Sequence, residues 1–86
     1  MKFEISAHAL EESNRRGIPL DMLESVLKNP GQIVDEYGGK KTYQSQIPFE
    51  SGKIYLVRVV VKQFTDHVVA VTAYKTSNID KYWRVK

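Results

Sequence analysis

The spacing of the apolar residues changes once along the chain, at Asn29-Pro30-Gly31, and this change constrains the fold more than any other feature. Before it, apolar residues recur at the period of a helix, and after it they tend to alternate as in a strand. Proline followed by glycine ends a helix decisively. Helices followed by a run of strands are typical of a two-layer α+β fold. We therefore predict two N-terminal helices packed on one face of a four-stranded, mainly antiparallel twisted sheet.

Local signals mark the ends of both helices. Ser6 is placed to cap the first helix, which should run to about Arg16 because Gly17 can adopt the left-handed conformation that closes a helix. Pro19 presets the backbone for the second helix, which carries one apolar stripe. A short additional edge strand at residues 3–5 is a further option.

Four strands are predicted after the second helix: Gln32–Tyr37, Lys41–Phe49, Ile54–Gln63 and Val68–Lys75. Side chains alternate between the two faces of a strand, so each strand can be divided into a core set and an outward set. The predicted core residues are Tyr43, Ile47 and Phe49, then Tyr55, Val57, Val59 and Val61, then Val69, Val71 and Ala73. The other face is predicted to be open and to carry the hydrogen-bonding side chains Gln44, Gln46, Arg58, Thr72 and Tyr74. This matching needs an odd number of residues in each hairpin loop, or a bulge, and Glu50-Ser51-Gly52 fits a three-residue loop.

Length and composition exclude several classes of protein. With 86 residues the chain should form one domain, too small to enclose a large substrate cavity. The lack of cysteine excludes a disulfide scaffold, thiolate catalysis and cysteine-based metal sites. Apolar runs are too short for a membrane span or a signal peptide, so we expect no membrane partner and a cytoplasmic location.

The net charge of +3 is unevenly distributed, with −1 on residues 1–43 and +4 on residues 44–86. A basic half favours an anionic partner, either a nucleic acid or an acidic protein, although it can also serve solubility alone. The side chains predicted to contact RNA are Arg15, Arg16, Gln44, Gln46, Lys62, Lys75, Lys81 and Arg84. We expect Tyr82 and Trp83 to dock the C-terminal tail on the core and not to stack on bases.

Two residues are the main candidates for chemistry. His8 falls in the first turn of the first helix, where a neutral imidazole would be a competent general base and Glu12 could orient it; the alternative is an ordinary surface histidine. Arg58 interrupts an apolar strand, so its guanidinium needs a partner, either an internal carboxylate such as Glu12 or an external phosphate. Tyr74 and Thr72 share its predicted face and could bond a phosphate, or could reflect strand propensity only. No cofactor or metal site is expected, because the two histidines and the carboxylates show no metal-ligand spacing.

Four segments together carry a resemblance: Ser6-Ala7-His8-Ala9, Arg15-Arg16-Gly17-Ile18, Asn29-Pro30 and residues 68–74. The whole chain resembles a family of small prokaryotic proteins known only as a domain of unknown function. That family is related to the RelE-type toxins of toxin–antitoxin systems and to the barnase–EndoU–colicin–RelE ribonuclease fold.

The resemblance implies a RelE-like domain with metal-independent endoribonuclease activity, in which the ribose 2′-hydroxyl attacks the neighbouring phosphodiester. It implies His8 as acid or base, Arg58 as phosphate clamp, and Tyr74 with Thr72 as orienting or stacking groups. It also implies RNA as substrate and a small antitoxin protein as partner. The alternatives are a non-catalytic RNA- or protein-binding module of the same fold and, less favoured, a structural homodimer.

Overall fold

The computed structural model describes residues 2–85 and has an α+β fold, as predicted. Its elements in chain order are β1 (Lys2–Ile5), α1 (Ala7–Arg15), α2 (Leu20–Lys28), β2 (Gln32–Asp35), a 3₁₀ turn (Tyr37–Gly39), β3 (Lys40–Pro48), β4 (Ile54–Gln63), β5 (His67–Thr76) and α3 (Ile79–Tyr82). None of the helices within residues 2–85 is both long enough and apolar enough to cross a bilayer.

The sheet has five strands in the order β1-β5-β4-β3-β2. Strands β2 to β5 form the predicted antiparallel meander, and β1 pairs in parallel with β5, with Phe3 opposite Val68. The optional edge strand is thus a fifth strand of the sheet. Strand β2 ends two residues earlier than predicted, because Tyr37 belongs to the 3₁₀ turn that precedes β3.

The helix ends lie where the sequence predicts them. The Ser6 hydroxyl accepts a hydrogen bond of 3.1 Å from the Ala9 amide. Gly17, just after the last residues of α1, has a φ of 72°. Pro19 precedes α2 and Asn29 follows it. These local signals act over a few residues, so the sequence alone is sufficient to place them.

The apolar core joins both helices to the alternating valines of β4. Its members are Ala9, Ile18, Leu23, Val26 and Leu27 from the helical half, and Tyr43, Val57, Val59, Val61, Val68, Ala70 and Ala73 from the sheet. Ile47 and Phe49 are partly buried against this cluster. The predicted core positions of β3 and the three valines of β4 are therefore confirmed.

The prediction for β5 was wrong over residues 68–71. Val60 pairs with Thr72 but Val61 pairs with Ala70, so Val71 is an extra residue in β5. A bulge of this kind reverses the alternation of side chains on one side of it. Val68 and Ala70, predicted to face outward, are therefore fully buried in the core, whereas Val69 and Val71 are only half-buried and Ala73 lies in the core as predicted.

The face that was predicted to be open is covered at its centre. Gln44 is fully buried and Arg58 is 6% exposed. The cover is the C-terminal segment: the Gln44 amide donates a hydrogen bond of 3.2 Å to the carbonyl of Tyr82, and the Tyr82 ring centroid lies 4.3 Å from Arg58 Cζ. Trp83 lies against Gly31, where a Cβ atom would come within 3.1 Å of its ring. Tyr82 and Trp83 dock the tail as predicted, but on the face of the sheet that carries Gln44 and Arg58 and not on the apolar core, and Gln44 is fully buried there.

Candidate functional site

Arg58 lies at the centre of a hydrogen-bonded group that spans three strands. Gln44 of β3 and Tyr74 of β5 are its direct neighbours across the sheet. Its Nε donates to Gln44 Oε1 at 2.8 Å, Nη1 donates to Tyr74 Oη at 2.6 Å, and Nη2 donates to Glu36 Oε2 at 3.1 Å. A guanidinium held in this way is satisfied by the protein itself.

The internal partner of Arg58 is Glu36, and Glu12, which the sequence suggested, lies elsewhere. Glu36 follows β2 directly, and its amide donates to the Lys40 carbonyl at 2.9 Å, which folds it back over the start of β3. Thr42 also donates a hydrogen bond to Glu36 Oε2. The carboxylate is thus fixed from two sides, and this offsets part of the cost of burying the Arg58 charge.

Tyr74 connects this buried group with the surface. Its oxygen accepts the hydrogen bond from Arg58, so its own hydroxyl hydrogen remains available for a second partner. Tyr74 also lines an open cleft of about 530 Å³ together with Arg16 and Lys75. We call this the basic cleft.

The basic cleft is built by reciprocal contacts between the end of α1 and β5. Arg16 Nη1 donates to the carbonyl of Ala73 at 2.8 Å, and Lys75 Nζ donates to the carbonyl of Arg16 at 2.6 Å. Gly17 permits this approach, because a Cβ atom there would lie 3.3 Å from Lys75 Nζ. Two cations from distant parts of the chain are thereby held in one open cleft, whose third lining residue is Tyr74.

The charge around the basic cleft remains positive. Glu12 Oε1 lies 2.7 Å from Arg15 Nη2 and 2.9 Å from Arg16 Nη2, so one carboxylate is shared by two guanidinium groups. The hydrogen bonds from Arg15 lower the pKa of Glu12 below its ordinary value of 4.5. Glu12 is ionised at neutral pH, but its single negative charge is smaller than the summed positive charge of Arg15, Arg16 and Lys75. The cleft therefore attracts anions such as phosphate groups.

His8 and Arg58 are not brought together. His8 is exposed on α1, and its neighbour Ala9 packs in the core with Val57 and Val59. The side chains of those two valines alternate with that of Arg58 along β4, so α1 and Arg58 lie on opposite sides of the strand. Within residues 2–85 no hydrogen bond or ion pair links His8 to Arg58 or Tyr74.

The other residues predicted to contact RNA are spread over the molecule. Arg15, Gln46, Lys62, Lys81 and Arg84 are exposed, and Thr72 is half-buried. Gln44 is committed internally, since its amide donates to Gln32 Oε1 at 2.8 Å as well as to Tyr82. Of the predicted set, only Arg16 and Lys75 line a common cleft with Tyr74.

Sequence reasoning missed Glu36 and also the aromatic residues beside Lys75. Lys75 Nζ lies 4.9 Å from the ring centroid of Phe49 and 5.4 Å from that of Tyr55. The need of Arg58 for a carboxylate was a usable signal, but the choice of Glu36 depends on how the turn at Tyr37–Gly39 folds. In the part of the chain that the structure describes, no three His, Asp or Glu side chains are grouped to hold a metal ion.

Comparison with known proteins identifies a family. The family model DUF4258, a domain of unknown function, matches residues 5–75, a range that includes His8, Arg58 and the whole basic cleft but not α3. Neither a curated protein nor a solved structure matches the chain. Because the family model spans most of the sequence, the chain belongs to the DUF4258 family of domains of unknown function.

Proposed function

We propose that this protein is an RNA-binding module that holds the phosphate backbone of RNA at the basic cleft. The observation that carries the proposal is the common cleft of Arg16, Tyr74 and Lys75, which offers two cations to the same ligand. The resemblance to RelE-type toxins supports RNA as the ligand. The separation of His8 from Arg58 favours binding over the predicted His8–Arg58 catalysis.

Phosphate binding at such a site has a measurable signature. Each phosphate that a cation neutralises releases counterions, so the logarithm of the association constant falls with the logarithm of salt concentration, by about 0.7 per phosphate for single strands. Arg16 and Lys75, each neutralising one phosphate of the backbone, together predict a slope of about −1.4. Additional exposed cations such as Arg15 would make the slope steeper.

The test is the affinity of the purified protein for a short labelled RNA, measured by fluorescence anisotropy at several salt concentrations. Lys75→Gln should weaken binding and reduce the slope by about 0.7. Lys28→Gln is the matched control, because Lys28 is exposed at the far end of α2. Equal affinities and slopes for the two variants would show that the basic cleft does not bind RNA.

A second candidate function is cleavage of RNA by a RelE-like toxin, which the bond between Arg58 and Tyr74 favours. The 2′-hydroxyl would attack the phosphorus, the bond to the 5′-oxygen would break, and the products would be a 2′,3′-cyclic phosphate and a 5′-hydroxyl. Tyr74, with its free hydroxyl hydrogen, would protonate the departing 5′-oxygen, and Arg58, which is bonded to the same phenol, would act as the predicted phosphate clamp. The 2′-hydroxyl proton would pass to a water molecule, because His8, the predicted base, lies on the other side of β4 from Arg58 and Tyr74.

Mapping of RNA ends after incubation separates the two functions. Cleavage predicts new cyclic-phosphate and 5′-hydroxyl ends that disappear in Tyr74→Phe, with the fold of the variant verified by thermal unfolding. A toxin further predicts that expression harms the host and that a small protein encoded beside it relieves the effect. RNA binding without new ends would establish the binding module and exclude the enzyme.

A further inference from the structure

A second cleft adjoins the basic cleft and is lined by apolar and aromatic side chains together with polar residues, among them Glu50 and Ser51. It encloses about 520 Å³ between the α1–α2 connection and the β3–β4 hairpin, and its walls include Pro19, Met22, Phe49, Tyr55 and Lys75. We call it the aromatic cleft. Lys75 lines both clefts, so they share one wall.

The aromatic walls are held in fixed positions. Phe49 and Tyr55 pack edge to face, with ring centroids 5.1 Å apart and planes at 80°. The Phe49 amide donates to the carbonyl of Lys53 at 3.0 Å, which closes the predicted three-residue loop, and Gly52 supplies the left-handed residue with a φ of 87°. Both rings are therefore presented by the rigid base of a hairpin.

The chemistry of the two clefts fits two adjacent parts of a nucleotide. Aromatic side chains bind bases of single-stranded nucleic acids by stacking, and such stacking is tolerant of sequence because every base has a π-face. A phosphate at Lys75 in the basic cleft would place the attached nucleotide beside Phe49 and Tyr55. A base in a duplex is stacked and paired and cannot enter such a cleft.

We propose that the aromatic cleft receives an unpaired nucleobase whose phosphate is bound at the basic cleft, so that the protein selects single-stranded RNA over duplex RNA. This inference rests on the proposed RNA-binding function. It adds a base subsite made by Phe49 and Tyr55 to the phosphate site made by Arg16 and Lys75.

The test compares the affinity for a single-stranded RNA with that for the same sequence in a perfect duplex at equal salt. The single strand should bind about tenfold more tightly, the size expected for one stacked base. Tyr55→Leu should reduce this preference, because it removes one of the two rings and should weaken the binding of the single strand more than that of the duplex. Tyr37→Leu is the control, because Tyr37 is 99% exposed and lies outside the cleft, and it should behave as the unmodified protein.

A second measurement needs no variant and so does not depend on the folding of Tyr55→Leu. RNA that carries 5-iodouridine should crosslink to Phe49 or Tyr55 on irradiation. Equal affinity for both RNA forms, or crosslinks only outside the aromatic cleft, would overturn the base subsite while leaving phosphate binding intact. Failure to bind either RNA at low salt would overturn the proposed function itself.

Discussion

Strand β4 presents two sets of alternating side chains that meet opposite kinds of environment. Val57, Val59 and Val61 lie in the apolar core with the helices, whereas Arg58, on the other side, lies in a group of hydrogen-bonded polar residues under the C-terminal segment. On the apolar side, the folded state is stabilised in proportion to the apolar surface that is removed from water. On the polar side, the hydrogen bonds offset the free-energy cost of burying Arg58 and its neighbours only while every partner is present. The same kind of substitution is therefore expected to change the free energy of unfolding for a different reason on each side of β4.

The largest effect is expected on the apolar side, for Leu23→Ala. Leu23 is fully buried in α2, so the truncation removes transfer free energy and leaves a cavity, at a cost of about 3 kcal/mol. Urea unfolding measures this loss in the free energy of unfolding. Leu20→Ala on the same helix is the control, because Leu20 is 52% exposed and should cost well under about 1 kcal/mol. Similar losses for both would mean that the two leucines do not differ in burial.

On the polar side, Gln44→Leu should cost about 2 kcal/mol although it adds an apolar side chain. The variant leaves Arg58 Nε without its acceptor and the Tyr82 carbonyl without its donor. Gln46→Leu is the control, since Gln46 is exposed two residues further along the same strand. If Gln44→Leu proved as mild as Gln46→Leu in urea unfolding, the polar group would not be required to hold the tail in place.

The smallest effect concerns pH and the exposed end of α1. Because the pKa of Glu12 is lowered from its ordinary value of 4.5, its pairs with Arg15 and Arg16 contribute stability above that pH, and the contribution is lost as pH falls through the folded-state pKa. Glu12→Gln should therefore lower the thermal midpoint slightly at neutral pH and leave it unchanged in acid. Glu11→Gln, at the exposed neighbouring position, is the control variant. A constant difference at all pH values would contradict the role given to the carboxylate.

The fold could be predicted from the sequence wherever short-range signals decide it. Ser6, Gly17 and the change of period at Asn29 are of this kind, and so is the loop that ends at Gly52. A bulge was a predicted option for the β4–β5 hairpin, because its faces match only with an odd loop or a bulge. Its position at Val71 could not be predicted, because the residues around it are apolar on both faces and alternation alone gives no reason to interrupt it there. The reversed faces of residues 68–71 follow from that one inserted residue.

The candidate site was less predictable than the fold because it depends on contacts between distant segments. That Tyr74 shares a face of the sheet with Arg58 was inferred correctly from alternation, but their direct pairing depends on the bulge at Val71. The covering of Arg58 by Tyr82 and its pairing with Glu36 depend on how the tail and the 3₁₀ turn fold. The meeting of Arg16 with Lys75 likewise requires the docking of α1 on β5, which residue spacing does not encode.

Amide chemical shifts recorded by NMR while a short single-stranded RNA is added test RNA binding at the basic cleft most directly. Binding there predicts progressive shifts at Arg16, Tyr74 and Lys75 that extend to Tyr55 and disappear at high salt. Shifts confined to other regions, such as the β1 edge near His67, or no shifts at low salt, would contradict RNA binding at this cleft.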